Sequence, residues 1–166
     1  MIRISCSIEA KAWRGVPGVR ALTRRAAKAC VDNAAPALHP LAELSVLLCD
    51  DARMREINCD WRGIDKPTNV LSFPQTLPGG GAALGDIAVS HETVEREARE
   101  EGKTFEDHYT HMIVHGFLHL IGFDHENDAD AANMEGRERD ILARLAIADP
   151  YAYRTPMKTG PGAMRA

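Results

Sequence analysis

Four of the seven histidines in this chain, His111, His115, His119 and His125, fall within fifteen consecutive residues. His115 and His119 are four apart, so on a helix their imidazoles share one face about one turn apart. His125 follows six residues later, past Gly122, a residue type suited to the left-handed backbone that ends a helix. A chain reversed at Gly122 would bring His125 back towards the pair. Three neutral imidazoles with a fourth position left open are the ligand set of a catalytic zinc site. The spacing H-x-x-x-H-x-x-G-x-x-H therefore predicts one zinc ion per chain on His115, His119 and His125. His111 and His108 continue the stripe one and two turns earlier and are assigned to support or to the substrate side, because three ligands and a water already satisfy zinc. Asp124 and Asp107 are available to orient ligand imidazoles.

The spacing matches the metzincin proteases, H-E-x-x-H-x-x-G-x-x-H, at every position but one: Gly116 stands where their general-base glutamate stands. Peptide hydrolysis needs a carboxylate to take a proton and pass it to the leaving amine, a contribution of about 10²–10⁴-fold. A metallopeptidase is thus favoured by the ligand spacing and disfavoured by Gly116. A substrate that carries its own nucleophile tolerates the loss better, and RNA does, through the 2′-hydroxyl beside each phosphate. Phosphate also calls for a guanidinium fork. Arg62, in Trp61-Arg-Gly-Ile-Asp-Lys66, is the best candidate, read as a loop residue with an aromatic before it and Lys66 after it.

The elements that must position these groups are legible from periodicity. Ile2 to Ile8 alternates apolar and polar residues, as a half-buried strand does, and Gly15 to Gly18 reads as a turn. Val19 to about Asn33 is an amphipathic helix with a basic outer face (Arg20, Arg24, Arg25, Lys28), ended by Pro36 and Pro40. Glu43 to Cys49 is a buried strand, and Asp50 or Asp51 caps a short helix through about Cys59. Thr68 to Phe73 is a strand stopped by Pro74, which suits a sheet edge. Gln75 to Ala83, with Gly79-Gly-Gly81, is a loop, and Leu84 to Val89 a fourth strand. Ser90 caps a charged helix broken by Gly102, and Thr104 caps the histidine helix. That helix is apolar nearly all round, so it belongs at the centre of the domain. A last helix, about Asp130 to Ala148, has Met134, Ile141, Leu142 and Leu145 on one face.

With 166 residues and no internal repeat, the chain reads as one metal-dependent hydrolase domain, 1–150, with 151–166 as a flexible C-terminal tail. No apolar run approaches the roughly 20 residues needed to span a bilayer, and no signal-peptide pattern opens the chain, so a cytoplasmic setting and no membrane contact are expected. Cys6, Cys30, Cys49 and Cys59 lack metal-site spacing and read as reduced thiols. The net charge of −4 argues against indiscriminate nucleic-acid binding, while seven Lys/Arg against one Glu in the first thirty residues leave room for a local positive face.

The block His115-Gly-Phe-Leu-His-Leu-Ile-Gly-Phe-Asp-His125 resembles the signature of the YbeY family, bacterial single-strand-specific endoribonucleases of rRNA maturation. Asn58-x-x-Trp-Arg-Gly-Ile-Asp-Lys-Pro-Thr-Asn-Val-Leu-Ser-Phe-Pro74 and Leu84-Gly-Asp-Ile87 look like the family's other two blocks, in order, so the similarity spans roughly residues 40–148. Trp61 and Phe123 stand where tyrosine is common, and Asn69 where aspartate is common. The resemblance implies an α+β fold, a four-stranded mixed sheet with about five helices and a zincin-like central helix. It also implies zinc on His115, His119 and His125, and Arg62 as the arginine needed for activity. Expected substrates are rRNA precursors, particularly the 3′ end of 16S rRNA, with a role in ribosome quality control. Expected partners are small-subunit components and a ribosome-associated GTPase. The remaining rival is a non-catalytic ribosome-assembly factor with a structural zinc, which three evident ligands disfavour.

Overall fold

A computed structural model describes residues 2–33, 38–75 and 82–152. Pro36, the Gly79–Gly81 stretch and residues 153–166 of the expected tail lie outside the described residues. Four strands, β1 (Arg3–Ile8), β2 (Glu43–Cys49), β3 (Val70–Pro74) and β4 (Ala83–Ser90), form one mixed sheet in the order β1-β2-β4-β3. β1, β2 and β4 are parallel neighbours, and β3 runs antiparallel to β4 at the edge. Pro74 ends an edge strand, where its missing N–H costs no ladder bond.

Five helices follow the expected order: α1 (Val19–Asn33), α2 (Asp51–Arg62), α3 (His91–Glu100), α4 (Phe105–Leu120) and α5 (Asp128–Arg144). The strands sort their side chains by alternation. Leu44, Val46 and Leu48 of β2 and Ile87 and Val89 of β4 meet Tyr109, Ile113 and Phe117 of α4 in the main core. Leu71, Ala88 and Cys49 point the other way, onto Met54 and Ile57 of α2. α4 touches α1, α3, α5, β3 and β4, which explains why its sequence is apolar on every side.

Local signals hold at some ends and fail at others. Thr104 caps α4 by accepting from the Asp107 N–H at 3.1 Å, and Asp50 caps α2 by accepting from Arg53 at 2.9 Å. Ser90 precedes α3, but its hydroxyl does not cap the helix; it donates to Asp51 Oδ1 at 2.5 Å, tying α3 to the start of α2. α2 runs on to Arg62 instead of stopping near Cys59, because Gly63 at φ 69° provides the left-handed turn that ends it. α5 is capped by Asn127 and ends at Arg144. A 3-10 turn, Lys11–Gly15, was not anticipated; it buries Trp13 completely, with the indole N–H donating to the Cys49 carbonyl at 2.8 Å. Tyr151, assigned from sequence to the tail, is buried against the domain.

Candidate functional site

The end of α4 does two jobs. Its last carbonyls are closed by a double turn: Gly122 N–H donates to the His119 carbonyl at 3.2 Å and Phe123 N–H to the Leu118 carbonyl at 3.0 Å. This needs the positive φ of 103° at Gly122. The same reversal brings the Phe123 carbonyl to 3.0 Å from His119 Nδ1 and returns His125 to the helix. The His119 and His125 ring centroids end 5.1 Å apart, and one ligand nitrogen from each of His115, His119 and His125 lies within 4.8 Å of the others.

The ring tautomers follow from their partners. A carbonyl can only accept, so His119 carries its proton on Nδ1 and turns the Nε2 lone pair into the site. His115 Nδ1 lies 2.5 Å from Glu138 Oε1, so the ring carries its proton on Nδ1 and donates to the carboxylate, and the His115 Nε2 is likewise left open. The two Nε2 atoms face each other at 3.1 Å. Burial, and then the charges of His115 and His125, hold the His119 imidazole down at about 4, so His119 offers an unprotonated Nε2 at neutral pH. Two lone pairs at that distance repel unless a cation lies between them, and two nitrogens on one tetrahedral zinc stand roughly 3.3 Å apart. The donor set therefore fits a metal ion.

Glu138, on α5, is fully buried, and its far oxygen accepts from the Tyr151 hydroxyl and lies 3.6 Å from His111 Nε2. Burial opposes ionisation of this carboxyl, but hydrogen bonds and charge from His111 and His115 outweigh it and keep the group below the usual carboxylate range. Neither Glu138 nor Tyr151 was picked out from the sequence. Glu138 had a signal: it follows Met134 by four and precedes Ile141 and Leu142 on the apolar stripe of α5, and an acid there must find a buried partner. Tyr151 lies beyond every periodic segment and gave none.

His115, His119 and His125 open onto a cleft of about 380 Å³ that Arg62, Ser72 and Asp124 also line. Apart from Asp124, the other residues singled out lie elsewhere. His111 is buried behind His115, against Glu138 and Tyr151, and so is not on the substrate side. His108 is buried against Glu97 at 2.9 Å. Asp107 contributes its backbone to the α4 cap, and Asp124 accepts from the His125 N–H at 2.7 Å, so the groups that orient ligand rings are Glu138 and the Phe123 carbonyl. Lys66 is not among the cleft residues; its carbonyl accepts from buried Asn58 at 2.8 Å. With the Arg55–Asp65 pair at 2.7 and 3.0 Å, that bond fixes the turn following Arg62. The basic face of α1 is also absent from the cleft lining: Arg20 donates to the Cys6 carbonyl on β1, at the edge opposite β3.

Gly116 sits where α4 meets the sheet. The Ser72 hydroxyl donates to its carbonyl at 3.0 Å, and a β-carbon there would stand 3.0 Å from that hydroxyl and 3.2 Å from two carbons of Ile87. A side chain in the glutamate's place would have to displace these neighbours slightly.

A buried helix that presents histidines to an open cleft, under a mixed sheet whose edge strand forms one wall, defines an α+β domain of zincin-like build with a cluster able to hold a metal. A sequence model of the family Endoribonuclease YbeY matches residues 10–146. An Endoribonuclease YbeY of Nitrobacter hamburgensis is 49% identical over 160 residues, covering 90% of this chain and 82% of that protein. One of Bradyrhizobium diazoefficiens is 51% identical over 154 residues, covering 89% and 84%. A solution structure from Thermotoga maritima superposes with a TM-score of 0.54 at 26% identity, over 95% of this chain and 99% of that one. The chain belongs to the YbeY endoribonuclease family and is an RNA-hydrolysing enzyme. No described helix is long and apolar enough to cross a membrane.

Proposed function

We propose that this chain is a zinc-dependent, single-strand-specific endoribonuclease of rRNA maturation, acting at the 3′ end of 16S rRNA and in ribosome quality control in the cytoplasm. His115, His119 and His125 hold one zinc ion, and Arg62 is the catalytic arginine. Small-subunit components and a ribosome-associated GTPase are the partners this role calls for. The catalytic unit is residues 1–150, extended to include Tyr151. The observation that carries the reading is the convergence of the three imidazoles on a cleft whose lining includes Arg62.

When bound, zinc supplies a concentrated positive charge that neutralises phosphoryl oxygens. The remaining work falls to side chains. Arg62 offers a planar fork of donors to the phosphate and meets charge that grows as the phosphorus is attacked. Among the described cleft residues Asp124 is the one carboxylate, and its Oδ1 is already engaged by the His125 N–H. Its other oxygen is the group proposed to take the proton of the attacking 2′-hydroxyl as the new P–O2′ bond forms, and to return it to the 5′-oxygen released as the P–O5′ bond breaks.

Metal analysis beside a single-stranded RNA cleavage assay tests this. Wild type carries one zinc per chain and cuts; His119→Ala loses both. Asp124→Asn keeps the metal and the bond to His125 and cuts about 10²–10⁴-fold more slowly. Cleavage that survives both His115→Ala and complete metal removal would refute the mechanism.

A further inference from the structure

Trp61 is 73% exposed, an unusual position for an indole in a chain whose other tryptophan, Trp13, is fully buried. Its ring is held in place: it lies 5.5 Å from the Phe73 ring at an interplanar angle of 54°. Each member of this aromatic pair is a chain neighbour of cleft residues, although the pair itself packs on the α2 side of the sheet while Ser72 turns to Gly116 of α4 on the cleft side. Arg62 lines the cleft while Trp61, one residue earlier on α2, does not; Ser72 and Pro74 line it while Phe73 between them faces α2. Arg62 follows Trp61 at the end of α2 and lines the cleft, and β3, which carries Phe73, is the edge strand of the sheet, so a strand of RNA that meets Arg62 can reach the indole around that edge.

We propose that Trp61, backed by Phe73, is a stacking platform for the nucleobase next to the scissile phosphate. The inference rests on the RNA-cleaving reading and adds a substrate contact to it. Any base has a π-face, so stacking on one aromatic gives affinity without sequence preference. A base can stack there only when it is free of its own stack, so the platform selects single strands over duplex, whose bases are turned inward. An exposed aromatic beside a guanidinium suits a nucleotide, which offers a flat apolar ring and an anion a short distance apart.

Because Trp13 is buried, acrylamide quenching of tryptophan fluorescence reports Trp61 alone. A single-stranded 2′-O-methyl oligonucleotide, which lacks the internal nucleophile, should shield Trp61 from acrylamide; an abasic strand of equal length, and a duplex, should not. Trp61→Ala should raise KM for single-stranded RNA roughly 5- to 150-fold with a much smaller change in kcat, and Trp61→Tyr should restore it. Trp61 lies at the surface, so these variants fold, and unchanged thermal unfolding verifies it. An indole that stays open to acrylamide in the saturated complex overturns the proposal and leaves Trp61 as a protein contact; equal shielding by the abasic strand overturns it too. The readout is binding, so shielding by the 2′-O-methyl strand with no cleavage of unmodified single-stranded RNA would sink the zinc mechanism alone, and normal cleavage of that RNA with an unshielded indole would sink only the platform.

Discussion

Glu138 holds His115: the carboxylate oxygen is 2.5 Å from the ring Nδ1, inside a pocket where the acid itself has no exposed surface. Such a partner fixes a ligand's tautomer and orientation, and losing it typically lowers metal affinity 10- to 100-fold. Glu138→Gln keeps the shape and an acceptor oxygen but removes the charge, so zinc affinity measured by chelator competition should fall within that range. Tyr151→Phe, which leaves the carboxylate but deletes the donor to its far oxygen, should have a smaller effect in the same direction. Unchanged affinity in Glu138→Gln would reduce the contact to packing.

Gly122→Ala forces a β-carbon onto a residue at φ 103°. A non-glycine residue in a positive-φ conformation costs about 1–2 kcal/mol. The loss should exceed simple destabilisation, because the same turn aims the Phe123 carbonyl at His119 and returns His125. Thermal unfolding and zinc titration should therefore both deteriorate. A variant that is less stable but binds zinc normally would separate the turn from the site.

Arg62→Ala should leave zinc content unchanged and lower the single-turnover rate of RNA cleavage roughly 10²–10³-fold, the size of effect seen when one donor to a developing oxyanion is removed. Arg62→Lys should recover only part of it, since an ammonium cannot present the fork. Weaker RNA binding with an intact single-turnover rate would make Arg62 a positioner only.

Without metal, stability should fall as pH drops from about 6.5 towards 4. His119 is held down at about 4 by burial and then by His115 and His125, against an ordinary 6.5, so in that window the unfolded chain takes up a proton that the folded chain refuses. Buried His111, and His91 against Trp13, are shifted the same way, chiefly by burial. Thermal unfolding in chelator across this range checks it; a flat melting temperature would contradict the assignment of neutral, desolvated rings.

Much of this was legible because it is local. Alternation in Arg3–Ile8 and Glu43–Cys49 marked strands, and the triad with Gly122 marked a helix that turns back on itself. What stayed hidden depends on contacts made across the chain. Glu138 meets His115 over twenty-three residues, and the Ser90 hydroxyl passes over its own helix for Asp51, thirty-nine residues away. Arg62 was identified by its neighbours but placed on a loop, because Asp60-Trp-Arg62 has no apolar stripe and the left-handed Gly63 alone marks the helix end.

The fit at Gly116 has a consequence for how this centre can change. Ile87 is fully buried, and a β-carbon at 116 would stand 3.0–3.2 Å from it and from the Ser72 hydroxyl, so a side chain there must push these neighbours by a few tenths of an ångström. A glutamate at 116 would therefore overpack a helix–sheet contact, a change that typically costs about 1–3 kcal/mol. A three-residue contact between helix and sheet thus attaches a stability penalty to the one substitution that would supply a protease's base.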